Sequence, residues 1–222
     1  MSPVGRLLDW LSTEFNVLFV VSAGNHTGPL SITAEEATTE DDARRAVTQA
    51  IHSTQIVRGI LPPGDAMNAL TVGATHSDDA PDSSGSSTAW DLTLREAPAL
   101  YSATGPGVNR SVKPDLYHIG GRLLFTKPPP SSESEIALSI ARTGRTGPGV
   151  QVAAPGEGGD TDRTRFDYGT SHATALVTRE ASLLFDILET ELDEGALALP
   201  DALFHPLLVR ALLAHEIGRA HV

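Results

Sequence analysis

The chain has 222 residues, enough for one hydrophobic core, with 40% apolar and 20% charged side chains. It carries 28 acidic against 16 basic residues, a formal net charge of −12, and no cysteine. This excludes the basic stripe of a nucleic-acid binder, disulfide support and thiol chemistry, and, with no run of about 18 apolar residues, a membrane-spanning helix.

The first element expected is an amphipathic helix within residues 1–11, with Leu7, Leu8, Trp10 and Leu11 as its apolar face. No signal-peptide pattern precedes it. Residues 16–25 form an apolar run that ends in Ala23-Gly24-Asn25. It reads as a buried parallel strand whose carboxyl end, where open α/β sheets bind ligands, delivers one amide side chain. Asn25 is there either an ordinary turn residue or a donor aimed at a developing oxyanion. His26 and His52 read as solvated.

Residues 33–52 have helix-forming composition, with acids early and Arg44 and Arg45 later, as the helix dipole favours. Their carboxylates lack the ligand pattern of a calcium loop, so a solvated helix is expected and no metal site. A strand follows at residues 68–74. Residues 77–87 read as a polar loop and residues 127–132, with three prolines, as a rigid surface excursion. Glycine-rich turns at 144–149 and 156–159 flank residues 151–154. No Gly-Lys-Ser/Thr follows them, so they are no phosphate-binding loop, and no cofactor is expected.

Gly169-Thr170-Ser171-His172-Ala173-Thr174-Ala175 opens a helical pattern that runs to about Leu188. A serine at a helix mouth after a glycine turn has two readings. It caps the helix, or it is a nucleophile beside free N–H groups and the positive end of the dipole. A last helix is expected at residues 206–215. Residues 216–222 read as a non-native tail, which leaves residues 1–215 as one partial domain.

Four of these stretches, in order, resemble the subtilisin-like serine peptidases: Val20-Val21-Ser22-Ala23-Gly24-Asn25, Asn68-Ala69-Leu70-Thr71-Val72-Gly73-Ala74, Val112-Lys113-Pro114-Asp115, and Val152-Ala153-Ala154-Pro155-Gly156 followed by Gly169-Thr170-Ser171. The resemblance implies a doubly wound, mostly parallel α/β sheet. It implies Ser171 as the acylated nucleophile and Asn25 as an oxyanion donor, with the Ser171 backbone N–H as companion. It also implies that Ser22, Ala23 and Gly24 line the pocket for the residue before the scissile bond. A cis Pro62–Pro63 bond is expected at the base of that pocket.

The chain departs from the family pattern at His172, where methionine is usual, and at Ala175, where proline is usual. His172 is a poor general base, because neighbours on a helix do not face each other. No Asp-Thr/Ser-Gly turn and no His-Gly-Thr segment is present, although the family places its Asp and His ahead of the serine. The resemblance therefore implies the C-terminal half of a catalytic domain, with the N-terminal half missing. Such a fragment is expected to be inactive alone, while the parent protein hydrolyses peptide substrates through an acyl-enzyme. The alternative is a non-catalytic, subtilisin-like binding module. A serine esterase is disfavoured because the segment lacks the second glycine of the nucleophile elbow. The absence of cysteine fits a cytoplasmic setting. Oligomeric state is left open.

Overall fold

Leu70, Thr71, Val72 and Ala74 are almost wholly shielded from solvent, as a strand covered on both faces requires. In the computed structural model, which describes residues 1–80, 89–129, 134–141, 147–194 and 204–219, this strand is the centre of the fold. The elements in chain order are α1 (Pro3–Phe15), β1 (Val20–Ser22), β2 (Leu30–Thr33), α2 (Glu40–Ser53), β3 (Leu70–Thr75), β4 (Ala89–Trp90), β5 (Gly105–Pro106), β6 (Val112–Lys113), β7 (Leu116–Ile119), β8 (Phe125–Thr126), β9 (Glu135–Leu138), β10 (Val150–Ala153), β11 (Thr164–Asp167), α3 (Thr170–Glu194) and α4 (His205–Arg219).

β3 pairs in parallel with β1 on one side and β7 on the other. Helix α3 lies across all three strands and α4 packs on α3 and β7. Ala173, Val177 and Ala181 form the buried stripe of α3, and their small size allows close approach to the sheet. The fold is α/β with a parallel sheet, as the subtilisin-like pattern requires. Among the described residues there are also four antiparallel pairs, β2–β9, β4–β8, β5–β6 and β10–β11.

Several expectations need adjustment. β1 covers only residues 20–22 of the apolar run and is half-buried, because among the described residues it pairs on one side only. The second helix begins at Glu40, not Thr33. Thr39, a good cap and a poor helix former, accepts from Asp42 N at 3.1 Å and fixes the start there. The apolar face of α1 is split: Leu8 and Leu11 are half-buried, and Leu7 and Trp10 are exposed. Val4, Leu7, Trp10 and Phe15 are 51, 50, 54 and 60% exposed. Polar contacts also dock the helix: Ser2 Oγ donates to Asp65 Oδ1 at 2.8 Å, and Asp9 accepts from Asn68 N at 2.7 Å and Met67 N at 3.1 Å.

The Pro62–Pro63 bond is cis, as expected. Of the anticipated loops and tail, residues 81–87, 130–132, 144–146 and 220–222 lie outside the described residues. Helix α4 runs on to Arg219, past the expected end at 215.

Candidate active site

The β10–β11 hairpin carries the chain back to Gly169, whose N–H donates to Gly120 O at 2.8 Å. That bond ties the start of α3 to the residue just after β7. β1 ends at Ser22, and the turn through Gly24 sets Asn25 against the same helix start. Gly24 has φ +106°, a region open to glycine, and its C=O accepts from Ala103 N at 2.9 Å.

The two segments lock through Thr170, which is fully buried. Its N–H donates to Asn25 Oδ1 at 2.9 Å, and its hydroxyl donates to the same oxygen at 3.1 Å. The Thr170 hydroxyl oxygen also accepts from Gly24 N at 3.3 Å. A backbone N–H can only donate, so the facing amide atom must be oxygen. This fixes the flip of Asn25 and leaves its Nδ2 as the free end. Asn25 thus acts as the cap of α3, a partner that reaches it from a different strand.

Ser171 and Asn25 come together, as the sequence leads one to expect. A Cβ built on Gly169 would lie 3.2 Å from Asn25 Nδ2 and 3.6 Å from Ser171 Oγ. An added side chain there would crowd the Asn25 amide. Both Ser171 and Asn25 are exposed. Among the described residues, neither Asn25 Nδ2 nor Ser171 N–H has a hydrogen-bond partner, and Ser171 Oγ has none either. The arrangement therefore offers a hydroxyl and two free N–H donors at a helix N-terminus, which suits an oxygen that gains negative charge.

Ser22, Ala23 and Gly24 lead from β1 into Asn25, and Ala23 is wholly buried. Ala23 donates to Val72 O and accepts from Leu61 N, both at 2.9 Å. Leu61 sits directly on Gly24, where an added Cβ would come 2.6 Å from Leu61 Cβ. The cis Pro62–Pro63 bond follows, and Gly64 lies against Ser22 O.

Among the described residues, no imidazole bonds Ser171. The ring of His172 turns to Asp167, with Nε2 4.0 Å from Oδ2. His26 is half-buried, not solvated: its Nε2 bonds Gly59 O at 2.9 Å. His52 is exposed, as expected. The most buried histidine among the described residues, His76, just after β3, bonds Asp91 Oδ1 at 2.7 Å. Nearby, Asp78 accepts from Arg122 N and Nε, both at 3.1 Å, and from Gly149 N at 2.8 Å. These partners are too far apart in sequence to give a local signal. No group of three or more His, Asp or Glu side chains gathers as a metal site among the described residues.

The Lys113-Pro114-Asp115 segment proves to be a buried staple. Lys113 Nζ donates to Asp115 Oδ2 at 2.6 Å, to Thr71 Oγ1 at 2.9 Å and to Ala69 O at 3.1 Å, and Asp115 Oδ2 accepts from Thr71 N at 2.7 Å. The motif holds β3 against the entry to β7.

A family model described as the subtilase family, peptidase S8, matches residues 3–217. The chain belongs to the subtilase family. This subtilase is also similar to an uncharacterized protein, y4bN, of Sinorhizobium fredii (strain NBRC 101917 / NGR234), with 32% identity over 120 residues. That match covers 53% of the subtilase chain and 26% of the relative, about a quarter of its length. No solved structure matches it.

Proposed function

We propose that this subtilase chain carries the nucleophile half of a serine endopeptidase. Ser171 Oγ attacks the scissile carbonyl, and the tetrahedral oxyanion is held by Asn25 Nδ2 and the Ser171 N–H. One observation carries this reading: Thr170 commits Asn25 Oδ1 and so leaves Nδ2 free beside Ser171. Ser22, Ala23 and Gly24 form the wall for the side chain before the scissile bond. The general base and its orienting carboxylate come from an upstream part of the complete protein, because a serine hydroxyl needs both.

The chain alone then turns over peptides poorly, and the complete protein cleaves them with Ser171 essential. A fluorophosphonate probe on the complete protein should label Ser171, and Ser171→Ala should abolish both labelling and peptide cleavage. Unchanged cleavage by that variant rejects the nucleophile. Robust turnover by the 222-residue chain, lost on Ser171→Ala, rejects the division of the catalytic groups.

The lack of any imidazole on Ser171 Oγ among the described residues favours a second reading, a peptide-binding module without turnover. Saturable peptide binding by the complete protein with neither cleavage nor probe labelling would select it.

A further inference from the structure

One residue past Asn25, beside His26, lies a cavity of about 370 Å³ that the peptidase reading does not use. Its lining is largely apolar: Leu30, Leu123, Phe125 and Leu138 form the walls, and Ile140 stands partly exposed on its border. The volume is within the range of small-molecule sites, and an apolar body with few fixed polar groups is their usual make-up.

One fixed cation also lines it. Arg58 is half-buried, and its Nη2 donates to His26 O at 3.1 Å and to Leu100 O. Those two bonds fix the guanidinium plane. Its Nε and Nη1 have no hydrogen bond among the described residues, and Arg58 has no ion pair with any described acid. In a chain of net charge −12, a half-buried arginine without a carboxylate partner is unusual. Burial pushes its pKa down from the usual value, yet the group stays charged, as guanidinium does in proteins. His26 Nε2 is already used by Gly59 O, so the charge offered at the cavity is that of Arg58, beside the neutral hydroxyls of Thr27 and Ser139.

We propose that this cavity is a binding site for an apolar group that bears a carboxylate. The apolar body fills the space between Phe125 and Leu138, and the carboxylate accepts from Arg58, whose planar fork matches two carboxylate oxygens. The carboxylate can belong to a free organic acid or to the C-terminal leucine of a peptide. Both present the same chemistry. The site is independent of the nucleophile assignment, and its test reads binding alone.

The test is isothermal titration of the chain with four probes: octanoate, octan-1-ol, acetyl-Ala-Ala-Leu with a free carboxylate, and the same peptide as its amide. Saturable binding of octanoate or of the peptide acid is expected, and which of the two binds identifies the source. Arg58→Gln should weaken carboxylate binding about tenfold or more, the scale of a hydrogen bond to a charged group, and leave octan-1-ol unchanged. Arg58→Lys keeps the charge without the fork and should fall between; it also serves if Arg58→Gln fails to melt cooperatively. Ile140→Trp, which closes the cavity border, should reduce carboxylate and alcohol binding together. The proposal is overturned if neither carboxylate binds, if the amide binds as well as the acid, or if both Arg58 variants bind like the wild type.

Discussion

Asn25 makes its two kinds of amide atom do different work. The oxygen is spent on Thr170, and the nitrogen is left free beside Ser171. Asn25→Asp keeps the acceptor and removes the donor. In the complete protein this should lower kcat about 10²–10³-fold with little change in KM, a range that comes from removing one oxyanion donor in this family. Thr170→Val should act differently. It strips Gly24 N–H of its acceptor and Asn25 of one donor, at a cost of about 1–3 kcal/mol in urea unfolding.

Lys113 makes a related point for stability. Its ammonium is buried and triply bonded, and Asp115 depends on it. Lys113→Met leaves Asp115 with only the longer Arg210 contact at 3.5 Å and Thr71 Oγ1 and Ala69 O without their buried donor, and should cost about 1–3 kcal/mol in urea unfolding. A loss under about 1 kcal/mol would show that the staple contributes little.

At the scale of elements, the loop after β3 is fastened by charge. Burial pushes the Asp91 carboxyl up, but the hydrogen bond and charge of His76, the Thr93 N–H and Arg122 outweigh it and hold the pKa below the usual carboxylate value. A depressed folded pKa means the folded state prefers the ionised form. That stability is present above the unfolded pKa of about 3.9 and is lost as pH falls through the folded value. Unfolding free energy should therefore decline from about pH 5 downward, and Asp91→Asn should flatten that acid limb. An unchanged slope in the variant would assign the acid sensitivity elsewhere.

The turn that ends β1 has a steric limit of its own. At Gly24, φ is +106° and Leu61 Cβ stands 2.6 Å from any added Cβ. Gly24→Ala should destabilise the chain by at least about 1–3 kcal/mol. Leu61→Ala should not rescue it, because the clashing Leu61 Cβ remains.

For the whole molecule, the main consequence is an open flank. β1 has one partnered edge among the described residues, and α1 turns Val4, Leu7, Trp10 and Phe15 outward, with Trp10 and Phe15 packed edge to face. Exposed edges and apolar patches of this kind promote association. The 222-residue chain should show concentration-dependent self-association in sedimentation velocity, which Leu7→Glu with Phe15→Glu should reduce. A monomer at high concentration would contradict this.

Much of this was legible in the residues. The β3 strand and the opening of α3 carry strong local signals, an apolar run and a Gly-Thr-Ser turn before a helical period. The resemblance joined Asn25 to Ser171 across 145 intervening positions. The bonding role of Thr170 had no signal, because one hydroxyl can cap, donate or do neither. His76 with Asp91 and Asp78 with Arg122 stayed hidden, since ion pairs between distant loops follow no periodicity. The α1 face has the expected composition, but which of its apolar residues are covered had no local signal.

By itself the sequence determined the family, the parallel α/β core and the segments that meet at the helix mouth, because apolar patterning and turn chemistry are local properties. Only the tertiary structure decided which atom of Asn25 is free, that Lys113 is a staple, that α1 is docked by Asp9 and its cap Ser2, and that Arg58 lines an apolar cavity with no acid partner among the described residues. Each of those depends on which groups satisfy one another across the fold. A hydrogen bond or a desolvated charge is defined by its partner, and the partner is set by packing.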